Sequence, residues 1–193
     1  KLTRIDIINN LIKKYDYKSY LEIGVRHFVC FDEVNLPVEN KNSIDPNYDG
    51  VTYKLTSDEA FESMSEEKKW DIIFIDGYHE FNQVLRDIQN SLKHLNDGGS
   101  IVCHDMLPPT ESFVSMKKCG DGYRAFVKLR MSDENLEMYV VDTDYGCGVI
   151  RRGNQKLYED KFFVEGYSYF KNNRKNLMNV KSTDEFLEMI YEQ

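Results

Sequence analysis

Apolar positions along the chain alternate between a helical period and short continuous runs. In residues 3–15, Ile5, Ile8, Ile12 and Tyr15 fall at helical spacing, with Thr3 and Asp6 placed as a capping box, so a helix is predicted. Tyr20-Leu21-Glu22-Ile23 predicts a short strand that ends at Gly24. A helix over about 28–36 should follow, stopped by Pro37. Residues 42–45 predict a second strand, ended by Pro46, and residues 51–55 alternate as a third. The clearest strand is 70–76. Its apolar residues Ile72-Ile73-Phe74-Ile75 are continuous, so both faces are covered, as in a central parallel strand. Phe81, Val84, Leu85, Ile88, Leu92 and Leu95 form the stripe of the next helix, which Gly98-Gly99 should end. Residues 100–104 predict a fifth strand, 123–130 a helix, and 138–141 with 148–150 a closing antiparallel pair.

Strands alternating with helices predict a doubly wound α/β sheet, mostly parallel, with helices on both faces. One domain should cover 1–154. Residues 155–193 differ in character, with Tyr158, Phe162, Phe163, Tyr167, Tyr169 and Phe170 ahead of a helix capped at Ser182. That stretch reads as an appendage packed on the same domain, on a partner subunit of a homodimer, or over the site. Ligands of doubly wound sheets sit at the carboxyl ends of the strands, where strand order reverses. The residues just past each strand therefore carry the functional reading.

Composition narrows the partners. Lys+Arg is 25 against Asp+Glu 33, a net charge of −8, which disfavours nucleic acid. No apolar run approaches the roughly 18–20 residues of a membrane helix, and the first residues lack a signal-peptide core. Cys30, Cys103, Cys119 and Cys147 have no C-x-x-C pair and read as reduced thiols of a cytoplasmic protein.

Gly24 suits a tight turn where a cofactor approaches the backbone. Asp45, 21 residues on, is placed to accept both hydroxyls of a ribose, or simply to form an Asp-Pro turn. Thr56-Ser57-Asp58-Glu59 reads equally as ligand contact and as a helix cap. Three of the four histidines, His27, His79 and His104, fall just past predicted strands, while His94 reads as a solvated surface residue. If the strands at 70–76 and 100–104 are neighbours, Asp76 and Asp105 face each other about 5 Å apart. Such a pair calls for a shared partner, and a divalent cation is the natural one. The bland alternative has one carboxylate capping a helix and the other binding a loop amide.

In order along the chain, Tyr20-Leu-Glu-Ile-Gly-Val, Ser43-Ile-Asp45-Pro, Thr56-Ser-Asp58-Glu, Ile75-Asp76-Gly-Tyr-His79, Gly98-Gly, His104-Asp105 and Asp144-Tyr-Gly-Cys-Gly-Val resemble class I S-adenosylmethionine-dependent methyltransferases. Within them the set is similar to a small bacterial group associated with glycan and sugar biosynthesis, distantly like the macrocin and mycinose O-methyltransferases. The likeness covers about residues 18–151 and implies a Rossmann-like fold. It implies that Glu22 and Gly24 pass the amino-acid part of S-adenosylmethionine, that Asp45 holds its ribose, and that Ser57 and Asp58 flank its adenine, with Asp76 also at the cofactor. It further implies that Asp76 and Asp105 bind Mg or Mn and that His79 is the general base. His104 is a further candidate ligand. Phe28 stands where the family has a second glycine, and its ring should narrow the cofactor cleft. The implied activity is methyl transfer to a hydroxyl of a small molecule or sugar. Two readings stay beside it: a non-catalytic cofactor-binding domain partnered with a glycosyltransferase, and a nucleotide-sugar oxidoreductase. The second lacks the dinucleotide fingerprint G-x-G-x-x-G.

Overall fold

The computed structural model describes residues 1–159 and 166–192. In chain order the elements are α1 (Arg4–Tyr15), β1 (Tyr20–Ile23), α2 (Val29–Glu33), β2 (Lys41–Ile44), α3 (Ser57–Ser63), β3 (Trp70–Ile75), α4 (Phe81–Lys93) and β4 (Leu95–Cys103). They continue with α5 (Tyr123–Ser132), β5 (Leu136–Val141), β6 (Cys147–Arg152), α6 (Tyr167–Leu177), β7 (Val180–Lys181) and α7 (Thr183–Tyr191). Among the described residues the strands form one sheet in the order β2-β1-β3-β4-β6-β5-β7. Only β6 runs against its neighbours, antiparallel to β4 and β5. This is the mostly parallel, doubly wound arrangement the pattern predicts.

The continuous apolar run of β3 divides between two cores. Ile73 and Ile75 pack with α3, α4, α5 and α6 on one face, through residues such as Phe61, Ile88, Phe126 and Phe170. Ile72 and Phe74 pack with α1, α2 and α7 on the other, through Ile8, Phe31 and Phe186. Strand periodicity of two sends alternate side chains to opposite faces, so both must be apolar when helices cover both.

Four local expectations change. Residues 51–55 form no strand; Tyr53 makes a single bridge to Ile44. The helix expected over 28–36 is only one turn long at Val29–Glu33, after a 3-10 turn at Arg26–Phe28. Gly98 and Gly99 lie inside β4 rather than after α4, and a Cβ at Gly99 would meet Asp71 O at 2.6 Å. His94 is buried, not solvated. It ends α4, with Nδ1 2.7 Å from Lys68 O and its ring 5.2 Å from that of Phe61.

The described part of the tail joins the sheet. β7 pairs with the edge of β5, and Phe170, Leu177, Met178 and Phe186 are fully buried. Phe162 and Phe163 lie outside the described residues. All four cysteines are free thiols.

Candidate active site

From β1 the chain goes to one side to form β2, then returns past β1 to form β3. The switch point thus lies between the carboxyl ends of β1 and β3. Two adjoining clefts of about 460 and 470 Å³ open there, and Gly24, Arg26, Asp76 and His79 line both. At Gly24, φ is +86°, and an added Cβ would lie 2.2 Å from the Asp76 carbonyl oxygen. Its glycine is therefore demanded by close packing of the two loops, which brings their backbones together at the cleft floor.

One cleft runs over β2 and the start of α3. Asp45 Oδ1 accepts from the Asn47 N–H at 2.8 Å, which is the turn the Asp-Pro reading expects. Its Oδ2 accepts from the Val25 N–H at 3.1 Å, which ties the carboxylate to the loop after β1. A carboxylate offers about four lone-pair sites, so two remain for a pair of ligand hydroxyls. The turn and binding readings of Asp45 are compatible. Ser57 also lines this cleft, but its hydroxyl donates to the buried Asp87 at 2.6 Å. Burial pushes the Asp87 carboxyl up to about 6, against the opposing pull of its bonds from Ser57 and Gln83. Asp58 does not line this cleft. It pairs with Arg86 at 3.2 Å and accepts from Gln83, because its side chain on α3 faces α4. Phe28 narrows neither cleft. Its ring packs edge-on against Phe31 at 5.7 Å and lies beside Gly50. The turn instead has left-handed backbone at Arg26, His27 and Phe28, with φ of 28°, 62° and 60°. Tyr48, from the loop after β2, packs edge-on against His27 at 5.0 Å.

The other cleft holds a charged cluster. The His104 N–H donates to the Ile75 carbonyl at 3.0 Å, carrying the chain one residue past the β3–β4 pairing. His104 Nδ1 lies 3.3 Å from Asp76 Oδ1 and 3.4 Å from Asp105 Oδ2. Nε2 lies 3.3 Å from Asp144 Oδ1. Burial works against a charge on His104, but hydrogen bonds to Asp105, Asp144 and Asp76 outweigh it and raise its pKa well above the ordinary value. The carboxylates thus favour the charged ring of His104, although its Nε2 also lies 3.2 Å from Arg4 Nη1. Arg4 completes the group. Its backbone N–H donates to Asp144 Oδ2 at 3.0 Å, and its guanidinium lies 3.3 Å from the same carboxylate. The hydrogen bond from His104, followed by the bonds and charge of Arg4, holds Asp144 well below the usual carboxylate range. Glu22, also on this cleft, accepts from the Tyr20 hydroxyl at 2.5 Å, and burial pushes its carboxyl up to about 8.

His79 Nδ1 lies 3.4 Å from Asp105 Oδ2, and Nε2 lies 3.9 Å from Asp76 Oδ1. Its backbone is held by the loop after β4. Gly122 N–H donates to His79 O at 3.0 Å, and a Cβ at Gly120 would sit 2.3 Å from that oxygen. Arg4 and Asp144 were not singled out as site residues. Asp144 lies in the quoted Asp-Tyr-Gly-Cys-Gly-Val run, but its role depends on a contact spanning 140 residues, and no local signal marks Arg4.

Asp76, His79 and Asp105 each offer a ligand atom, all within 4.8 Å of one another, so these three could hold a divalent cation. His104 is not a member of that set, although it faces both carboxylates. When protonated, its ring supplies part of the positive charge that the facing pair requires, and Nδ1 then has no electron pair to offer a cation.

Residues 21–106 match the family model described as a methyltransferase domain. Among curated proteins, none matches the chain. Solved structures similar to it include an O-methyltransferase from Bacillus cereus in complex with SAH, with a TM-score of 0.61 at 14% identity, covering 78% of this chain and 81% of that one. An O-methyltransferase from Streptomyces achromogenes involved in tomaymycin synthesis, in complex with SAM, has a TM-score of 0.60 at 12% identity and covers 78% and 80%. A Klebsiella pneumoniae protein named as an O-methyltransferase has a TM-score of 0.59 at 16% identity and covers 79% and 82%. The fold is that of these proteins.

Proposed function

We propose that the protein transfers a methyl group from S-adenosylmethionine to a hydroxyl of a small molecule or sugar. The observation that carries this reading is the meeting of two clefts at the β1–β3 switch point, with Asp45 at one end and the His79 cluster at the other. Asp45 would hold the ribose hydroxyls, Ser57 and Gly77 the adenine side, and the backbone at Gly24 the methionine part. The bound cofactor supplies an electrophilic methyl on a sulfonium.

The chain's own residues would do the rest. His79 Nε2 takes the proton of the acceptor hydroxyl, while Asp105, 3.4 Å from Nδ1, orients the ring. A charged His104 offsets Asp76 and Asp105, so the floor of the cleft is less negative than these two carboxylates would make it. A Mg or Mn ion on Asp76, His79 and Asp105 would instead lower the pKa of the acceptor oxygen. It would occupy the lone pair His79 needs as a base, so the same three residues support two readings that chelation separates.

Calorimetry with S-adenosylhomocysteine tests the cofactor half. The expected result is binding that Asp45→Ala weakens by about 1–3 kcal/mol, the scale of hydrogen bonds to a charged group. No binding by the intact chain would remove the reading. Turnover that survives a chelator assigns His79 as a metal-free base, and reversible loss assigns the cation.

A further inference from the structure

Beside the charged cluster, the rim of the same cleft has a feature that methyl transfer does not require. Residues 144–146 join β5 to β6 with three consecutive left-handed conformations: Asp144 at 49°, Tyr145 at 61° and Gly146 at 92°. Gly146 is forced, because a Cβ there would lie 2.5 Å from Leu107 N. Asp144 is explained by Arg4 and His104. Tyr145 is not forced by any such close approach; a backbone bond and one ring contact hold it. A bulky residue in this region costs roughly 1–2 kcal/mol, and its ring is half exposed at the cleft mouth rather than buried. The turn is nonetheless fixed, with Leu107 N–H donating to Tyr145 O at 2.7 Å and Met106 N–H to Gly146 O at 3.1 Å. The ring of Tyr145 stacks on Phe113 at 5.7 Å and 27°, and Lys118 Nζ stands 4.3 Å from the Phe113 ring centre.

Lys117 and Lys118 both line this rim, and among the described residues neither ammonium pairs with a carboxylate. With Arg26 on the same cleft, these two ammonium groups make the rim locally positive in a chain of net charge −8. The loop that bears them is anchored. Cys119 N–H donates to Phe113 O at 3.0 Å, and Gly122 N–H to His79 O at 3.0 Å. It follows β4, and β3 separates β4 from β1. Gly24 lines the same cleft as both lysines, so SAH affinity is the readout that separates an acceptor contact from a contact to the cofactor's own carboxylate.

We infer that this rim is the acceptor subsite and that it takes a ring bearing an anionic group, with the ring against Tyr145 and the phosphate or carboxylate at Lys117 and Lys118. The inference rests on the methyl-transfer reading and deepens it. A flat ring, aromatic or sugar, gains contact on an aromatic face, and an ammonium pair supplies charge-assisted hydrogen bonds to the anion.

The test is titration of the SAH-loaded protein with three probes: phenyl phosphate, glucose 1-phosphate and neutral benzyl alcohol. At least one phosphate should bind roughly tenfold or more tighter than benzyl alcohol, and which one does tells an aromatic from a sugar ring. Replacing both lysines, Lys117→Gln with Lys118→Gln, should weaken that phosphate about tenfold with SAH affinity unchanged. Tyr145→Ala should weaken it further, and Tyr145→Phe should not. Equal binding of charged and neutral probes would overturn the inference. So would indifference to the lysine pair, or no phosphate binding at about 10 mM. Failure of SAH itself to bind removes the cofactor reading instead, and the probe titration is then repeated on the free protein, where the same outcomes apply.

Discussion

The two halves of the cleft are built differently. Around Asp45 and α3, carboxylates mostly meet neutral donors: Asp45 accepts from the Asn47 and Val25 N–H groups, and Asp87 from Ser57 and Gln83. Around His79, carboxylates crowd one another: Asp76, Asp105 and Asp144 surround His104, and Arg4 meets Asp144 across 140 positions. The first half is a binding wall whose groups are already satisfied by neutral partners. The long-range cluster gathers like charges and holds them together because His104 and Arg4 lie among them. The first half should behave as a binding surface. The second should couple chemistry, charge and stability.

His79→Ala is the change with the largest expected effect. It should lower turnover roughly 10²–10⁴-fold, the range for a general base, with SAH affinity unchanged. Asp45→Ala should act at the other end, weakening SAH rather than the chemical step, and should also lower the melting temperature because the Val25 and Asn47 N–H groups lose their acceptor. Equal loss of turnover and affinity in both variants would erase the distinction between the halves.

Asp144→Asn probes the long-range half through stability. It should cost about 1–3 kcal/mol near neutral pH, because His104 and Arg4 keep their charge without their partner. The raised pKa of His104 means that its contribution is complete below its ordinary 6.5 and disappears as pH rises through the folded value. The lowered pKa of Asp144 means that its share is present above 3.8 and disappears as pH falls through the folded value. The gap between wild type and variant in a melting series should therefore be widest between about pH 4 and the folded value of His104, shrinking in strong acid and again as His104 loses its proton.

A smaller effect is expected from Glu22→Gln. Burial raises the Glu22 carboxyl from 4.5 to about 8, so its stabilising share is full below 4.5 and is gone once pH has risen through about 8. The variant should lack that decline and gain on wild type as pH rises. Asp58→Ala should have the smallest effect. Its pair with Arg86 is half exposed, so stability should move by no more than about 0.5 kcal/mol and SAH affinity not at all. A marked loss of affinity there would put Asp58 back at the adenine.

The same division explains what the sequence made legible. The sheet was readable because β3 is apolar at every position from Ile72 to Ile75, which only a doubly covered strand requires. The neighbouring positions of Asp76, His79, His104 and Asp105 followed from strand ends. Asp58 was misplaced because a capping segment shows the same residues whether its carboxylate faces a ligand or a neighbouring helix. His94 looked solvated because it is off the α4 stripe, yet it sits where α4 turns into β4, against Phe61 and Trp70. Arg4 and the role of Asp144 were invisible because neither periodicity nor spacing reports a contact that only tertiary folding creates.

The two left-handed turns that face the cleft, at 26–28 and at 144–146, also bear on how such a protein changes under selection. Selection for heat resistance alone favours residues that relax strain, and glycine or asparagine at His27 or Tyr145 is the nearest such change. Each gain would flatten a side chain out of the cleft wall. A lineage or a laboratory library pushed toward thermostability should therefore drift at these two turns first, and it should lose selectivity for its acceptor before it loses its fold.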